Sequence, residues 1–195
     1  MANLNRIDYF TITTTGNASD FGNMNGTNRY TAATDNGTDD RGVCMGGADS
    51  GRANIDYITI SSTGNAGDFG DLANTYAPIQ AAGFSNSTND RGVIGGGTQP
   101  AGNPNPVGIV NVIQYITITS TGNATDFGDL TIARETYEGL SSGTQERGVF
   151  GSGNTTATSR KTLDYITINS ASNATDFGDT MVETHAIGGL SDCGT

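Results

Sequence analysis

The chain has no Trp, one His (His185), one Lys (Lys161), two Cys and four Pro among its 195 residues. Each scarcity removes a class of explanation. Cys44 and Cys193 are too few for a disulfide framework or a four-cysteine zinc site. One His and one Lys leave little side-chain chemistry for a general base, so the expectation is a chain that is not an enzyme. Nine basic residues against twenty acidic ones, a net charge of −11, lack the clustered Lys and Arg that phosphate binding requires. No nucleic-acid partner is expected. The longest apolar run, around Val107 to Val112, is itself broken by Gly and Asn, and so no membrane insertion is expected. The opening MANLNRIDYF carries neither the basic nor the apolar region of a secretory leader, and none is expected. Large apolar side chains are scarce as well. Val, Ile, Leu and Phe total 35 residues. That is about 18%, under the roughly 20% below which a strongly charged chain tends towards disorder. Composition alone leaves two readings open: a disordered acidic chain, or an ordered one that packs with small residues, 29 of them Gly.

What is present decides between them. Four segments align: RIDYFTITTTGNASDFGN from Arg6, NIDYITISSTGNAGDFGD from Asn54, VIQYITITSTGNATDFGD from Val112 and TLDYITINSASNATDFGD from Thr162. Their tyrosines, Tyr9, Tyr57, Tyr115 and Tyr165, are followed in register by Phe21, Phe69, Phe127 and Phe177. Between them lies a second motif, DRGVCMGG from Asp40, DRGVIGGG from Asp90 and ERGVFGSG from Glu146. A disordered chain has no reason to hold such a pattern in register, so the chain is ordered and modular.

The units read as strands. DYITI is β-branched and aromatic. Along residues 55–60 both faces carry apolar side chains, which predicts a strand covered on both sides. TGNAxDFGD reads as turn chemistry with Phe as its anchor. RGV followed by glycines reads as a short strand beside a close backbone neighbour. YTAATD, YAPIQAAGFS, YEGLSS and THAIGGLS read as Ala- and Gly-rich strands. No segment sustains a helical period. Four short strands per unit of about 50 residues suggest a β-propeller, in which stacked blades bury one another's faces.

These motifs resemble kelch repeats. Arg41 to Gly47, Arg91 to Gly97 and Arg147 to Gly153 look like the kelch strand that ends in a diglycine. DYITI looks like its third strand, and DFGD stands where kelch repeats carry a Trp. Phe replaces that Trp, and the third copy has Ser152 within its glycine run. The fuller pattern resembles repetitive kelch-like proteins of tailed bacteriophages, those of cyanobacteria among them, associated with tail or fibre regions. The fold expected is all-β, a kelch-like β-propeller of about four four-stranded blades, incomplete or completed by another chain. Residues 1–195 form one repeat domain, with a half blade at 1–29, blades at 30–75, 76–136 and 137–184, and a half blade at 185–195. In kelch order the chain opens on the last two strands of a blade (7–21) and ends on a first strand (185–191). The Asp192-Cys193-Gly194 tail aligns with the Asp-Arg-Gly that opens the next strand. The expectation is a homo-oligomer, or assembly with other virion proteins.

Several residues invite a functional reading. His185 falls in the column of Tyr30, Tyr76 and Tyr137 and reads as packing. Cys44 shares a column with Ile94 and Phe150 and reads as a small buried hydrophobe. Asn and Asp of the NAxDFGD segments (Asn65, Asp68 and Asp71, for example) are the oxygen ligands calcium uses. The spacing is not that of an EF-hand, so turn capping is preferred and no cofactor is expected. The Asn-Ala-Ser/Thr sequons at Asn17, Asn123 and Asn173 fail at Asn65-Ala66-Gly67, so the turn is what recurs. Arg41, Arg91 and Arg147, each after an acid, read as inter-blade salt bridges and hydrogen bonds. Where the copies differ, loops on a repeat scaffold carry function. The long loop 98–108 and its counterpart 154–161 place Gln99, Asn103, Asn105, Asn154 and Arg160 as a candidate ligand-binding set, suited to a surface glycan. The function expected is a non-enzymatic viral structural protein, a unit of a phage tail or fibre contacting a host surface, located in the virion or outside the cell. The alternative is a glycan-binding lectin with one shallow site per blade.

Overall fold

The structure is a computed structural model that describes residues 4–37, 40–49, 53–73, 78–99, 108–156, 158–184 and 188. Its strands form antiparallel sheets, and the described residues contain no α-helix. Strands β1 (Arg6–Tyr9) and β2 (Ser19–Asn23) make an N-terminal ribbon. Sheet I has the order β4 (Ala32–Asp35), β5 (Arg41–Met45), β7 (Asn54–Thr59), β8 (Gly67–Asp71). Sheet II repeats it with β9 (Ala82–Ser85), β10 (Arg91–Gly95), β13 (Val112–Thr117) and β14 (Thr125–Asp129). Sheet III does so with β15 (Gly139–Ser141), β16 (Arg147–Phe150), β18 (Ser159–Thr167) and β19 (Thr175–Thr184). Short pairings decorate these units after each glycine run: β3 (Asn28–Arg29) with β6 (Ala48–Asp49), β11 (Thr98–Gln99) with β12 (Gly108–Ile109), and β17 (Gly153–Asn154) with β18.

The strand order follows the repeat. In each sheet the Ala/Gly strand, the RGV strand, the YITI strand and the DFG strand are neighbours in chain order. The DFG segment, whose residues read as turn chemistry and which the kelch order places as the fourth strand, is a strand with a bulge. Ile55 pairs with Gly70 and Asp56 with Asp68, leaving Phe69 as the extra residue; the ribbon and sheets II and III repeat the irregularity. A bulge re-aims a side chain. Phe21, Phe69 and Phe127 are buried there, each edge-on to the Tyr of its unit at 5.9, 6.2 and 6.0 Å.

The core lies between sheets. One cluster joins Val43, Met45 and Ile55 of sheet I to Ile94, Ile116 and Ile118 of sheet II and its margin. The next joins Phe84, Val93, Ile113 and Phe127 of sheet II to Phe150 and Ile166 of sheet III. Val93 and Ile94, adjacent in β10, thus serve opposite clusters, and sheet II is covered on both faces. Each fully buried aliphatic contributes roughly 1.5–3 kcal/mol, and a central sheet that serves two clusters, as sheet II does, lets 35 large apolar residues suffice. On β7 the cover is one-sided. Ile55 and Tyr57 join the core, while Ile58 and Ile60 line an open groove.

Close approach explains the glycines. A Cβ on Gly148 would overlap the Phe84 ring of the preceding sheet, and one on Gly95 would lie 2.7 Å from Phe150. The glycine run of the third copy differs: Gly46 and Gly96 have φ of 66° and 70°, but Ser152, in the same column, avoids that region. His185, Cys193 and the strand expected at 185–191 lie outside the described residues, Gly188 excepted.

Candidate functional site: the inter-sheet junctions and the ribbon edge

The repeated residues meet at the junctions between successive units. Asn65 Oδ1 accepts the backbone N–H of Asn23, Asn123 Oδ1 that of Asp71, and Asn173 Oδ1 that of Asp129, each at 3.0 Å. Beside each bond a backbone pair repeats: the N–H groups of Ala66, Ala124 and Ala174 donate to the carbonyls of Asn23, Asp71 and Asp129 at 2.8 Å. The Asn of the second, third and fourth of these turns therefore staples its own unit to the DFG strand of the unit before it. The geometry requires Gly in that strand. Gly70 has φ of 144°, and a Cβ on it would lie 2.5 Å from the Gly122 carbonyl oxygen.

A second anchor recurs two residues beyond the DFG strand. Asp56 accepts from Asn25 N at 3.2 Å and Asn25 Nδ2 at 2.8 Å. Gln114 accepts the Ala73 N–H at 2.9 Å and donates back to its carbonyl at 3.0 Å. Asp164 accepts from Thr131 N at 3.1 Å and Thr131 Oγ1 at 2.6 Å. Asp164 also pairs with Arg134, whose Nε donates to the Ser152 carbonyl at 2.9 Å.

The recurrent arginines form a third link. Arg41 donates to the Ile118 carbonyl and Arg91 to that of Ile168, both at 2.8 Å and both in the following unit. Arg41, Arg91 and Arg147 lie over the rings of Tyr57, Tyr115 and Tyr165 at 4.5, 4.2 and 4.9 Å. Among the described residues their partners are carbonyls and rings; the acids before them serve elsewhere. Asp90 accepts from Asn36 Nδ2 at 3.2 Å and Glu146 from Asn86 Nδ2 at 2.9 Å, again across a junction.

The ligand-binding set lies on three strands and, in part, outside the described residues. Gln99 on β11 is 2% exposed and presents no surface to a solute. Asn154 on β17 is half-buried, and its backbone exchanges two hydrogen bonds with Glu135, at 2.9 and 3.1 Å. Arg160 on β18 has a buried Nε without a hydrogen-bond partner among the described residues. Asn103 and Asn105 lie outside the described residues.

Sequence reading missed the polar cluster at the edge of the β11–β12 ribbon. Glu135 accepts from Thr98 Oγ1 at 2.7 Å and from the Tyr137 hydroxyl at 2.8 Å, and Gln80 Nε2 donates to that hydroxyl at 2.9 Å. Burial, with the hydrogen bond and charge of Glu135, pushes the Tyr137 phenol up to about 12. Burial likewise raises the Glu138 carboxyl, against a backbone hydrogen bond from Gly139 that lowers it. Tyr137 shares a column with Tyr30 and Tyr76, but its partners Gln80, Thr98 and Glu135 do not recur with it as a set, so self-comparison carried no signal for the cluster.

Three concavities open among the described residues. A groove of about 320 Å³ runs beside sheet I, lined by Ile7, Met24, Cys44, Asp56, Ile58 and Ile60. Burial, then the charge of Asp56, raises the Cys44 thiol. Two recesses sit at equivalent places beneath the Gly-Asn turns. One, of about 310 Å³, is lined by Tyr115, Ser120, Thr121 and Asn123, and the other, of about 120 Å³, by Tyr9, Thr14, Asn17 and Ser19. Among the described residues no three His, Cys, Asp or Glu side chains gather where they could hold a metal ion. The Asn65, Asn123 and Asn173 oxygens considered for calcium accept backbone N–H groups instead.

No protein-family model matches the chain, and no curated protein matches it.

Proposed function

We propose that the chain is a non-enzymatic viral structural protein, a kelch-like β-propeller unit of a bacteriophage tail or fibre that contacts a host surface. The observation that carries the architectural half is the recurrence of one Asn bond, at 3.0 Å, at three successive junctions. Units joined face to face by identical links are stacked blades, and repeat architectures bury their cores only by such stacking. The recurrent polar residues are committed to holding units together, which is the economy of a scaffold. The viral half rests on the resemblance of the IDYITI, DFGD and RGV motifs to phage kelch-like proteins. Its partners are then other virion proteins, and its place the virion or the extracellular space. Antibody to the chain should label tails of purified particles; particles lacking the chain would remove the viral reading. Electron microscopy of the protein tests the architecture, since a linear stack of sheets without radial blades would exclude a propeller.

A lectin is the second reading. It is favoured by the two equivalent recesses, each offering hydroxyls, an amide and a Tyr ring, the groups that recognise sugars. A glycan array separates the readings: binding lost on Tyr115→Ala and Ser120→Ala substitution favours the lectin, and failure to bind any glycan leaves the scaffold.

A further inference from the structure

The chain contains four Gly/Ser-Asn-Ala turns and four DFG strands, and three turn–strand pairs are joined. One turn and one strand remain. The Asn17 turn lies on the ribbon at one end of the described fold, and Phe177-Gly178-Asp179 lies on β19 at the other. We infer that these two ends are the halves of a fourth junction, filled by a second copy of this chain docking head to tail.

Each half carries the marks of a junction without its partner. Phe177 is 50% exposed, whereas Phe21, Phe69 and Phe127 are buried. Gly178 keeps the junction backbone, φ 130°, yet among the described residues nothing lies within 4 Å of a Cβ placed on it. On the ribbon, Phe10 and Ile12 are 68% and 90% exposed. They occupy the columns of Ile116 and Ile118, and of Ile166 and Ile168, which are buried against a preceding four-stranded sheet, whereas Ile58 and Ile60, preceded only by the two-stranded ribbon, stay partly exposed. Asn17 is exposed as well.

The internal junctions dictate what the fourth would contain. Asn17 Oδ1 would accept the Asp179 N–H, as Asn65 accepts that of Asn23. Asp8 would accept the Met181 N–H, as Asp56 accepts that of Asn25. Arg147, exposed beside Tyr165, would donate to the Ile12 carbonyl, as Arg91 donates to that of Ile168. Among the described residues the chain's own Asn17 turn does not sit on β19, which leaves that surface open to another molecule that carries the turn. A second copy carries it by construction. Because the two surfaces differ, the contact is heterologous, and each dimer keeps one free head and one free tail. The inference rests on the stacked-unit part of the proposed function and not on its viral part.

Sedimentation velocity of the full chain tests it. The average mass of wild type should rise above 20.0 kDa with concentration. Ile12→Glu disables the head at an exposed site, and Phe177→Glu the tail. Met181→Glu, at a site 96% exposed, is a second tail variant that sets a carboxylate against Asp8. Each variant alone should remain monomeric with unchanged circular dichroism. A mixture of Ile12→Glu with either tail variant should give dimers and nothing larger, because one intact head meets one intact tail. Wild type that stays monomeric throughout, association that survives Ile12→Glu, or a mixture that forms no dimer would each overturn the inference. The stacking reading fails separately, if Asn123→Ala leaves the unfolding midpoint unchanged.

Discussion

The Arg134 guanidinium and the Asp164 carboxylate lie 2.7 Å apart with both side chains wholly buried. Arg134 also donates to the Ser152 and Ile132 carbonyls, and Asp164 accepts twice from Thr131. The pair therefore binds the segment between sheets II and III to β18. Removing one partner strands a charge in the interior, which costs about 3–5 kcal/mol. Asp164→Ala should lower stability by that amount in urea unfolding. Arg134→Met with Asp164→Leu should cost much less, since an apolar pair leaves no buried charge.

Gly70 and Gly178 separate backbone strain from steric contact. Both have strongly positive φ, 144° and 130°, but among the described residues only Gly70 faces a neighbour, the Gly122 carbonyl. Gly178→Ala measures the conformational term, on the order of 1 kcal/mol. Gly70→Ala should exceed it by at least about 1 kcal/mol, because the neighbouring turn must move. Thermal unfolding at low protein concentration gives both values.

Arg91→Lys tests the arginine link. Lys retains the charge but loses the planar fork that lies over Tyr115 while bonding the Ile168 carbonyl. The expected loss is about 1–2 kcal/mol, one hydrogen bond from a charged donor plus a ring contact. An equal effect for Arg91→Lys and Arg91→Ala would show that the fork matters; a neutral Lys variant would show that charge alone suffices.

Cys44 supplies the pH test. Its thiol is raised by burial and by Asp56, so the folded protein holds that proton to higher pH than the unfolded chain does. The stabilisation is present below the unfolded thiol value of about 8.5 and is lost as pH rises through the folded value. In a Cys193→Ser background, alkylation of native protein should be slower than that of denatured protein, with its pH midpoint displaced upward. Cys44→Ala should flatten the alkaline slope of stability.

Much of the fold was legible because the chain supplies its own comparison. The YITI and RGV strands could be placed from β-branched residues recurring in register, and the sheets keep that chain order. The Phe69 bulge was not legible, since it depends on pairing, and its residues also suit a turn. Asn65 was legible as important but not as a staple: a turn cap and an inter-unit acceptor call for the same side chain. Gln99 misled for another reason. A polar residue in a variable loop suggests exposure, but β11 folds against β12 and buries it. The Arg134–Asp164 pair and the Glu135–Tyr137 bond are made at one junction only, so no column could announce them.

The bond from Asn Oδ1 to the preceding backbone has one more consequence. It is the same at every junction and reads a backbone N–H, whether Asn23 or Asp71 carries it. A unit therefore does not recognise which unit precedes it. Duplicating or excising a whole unit in frame rebuilds an equivalent bond at the new seam, so the number of units in such a protein can change in single genetic steps.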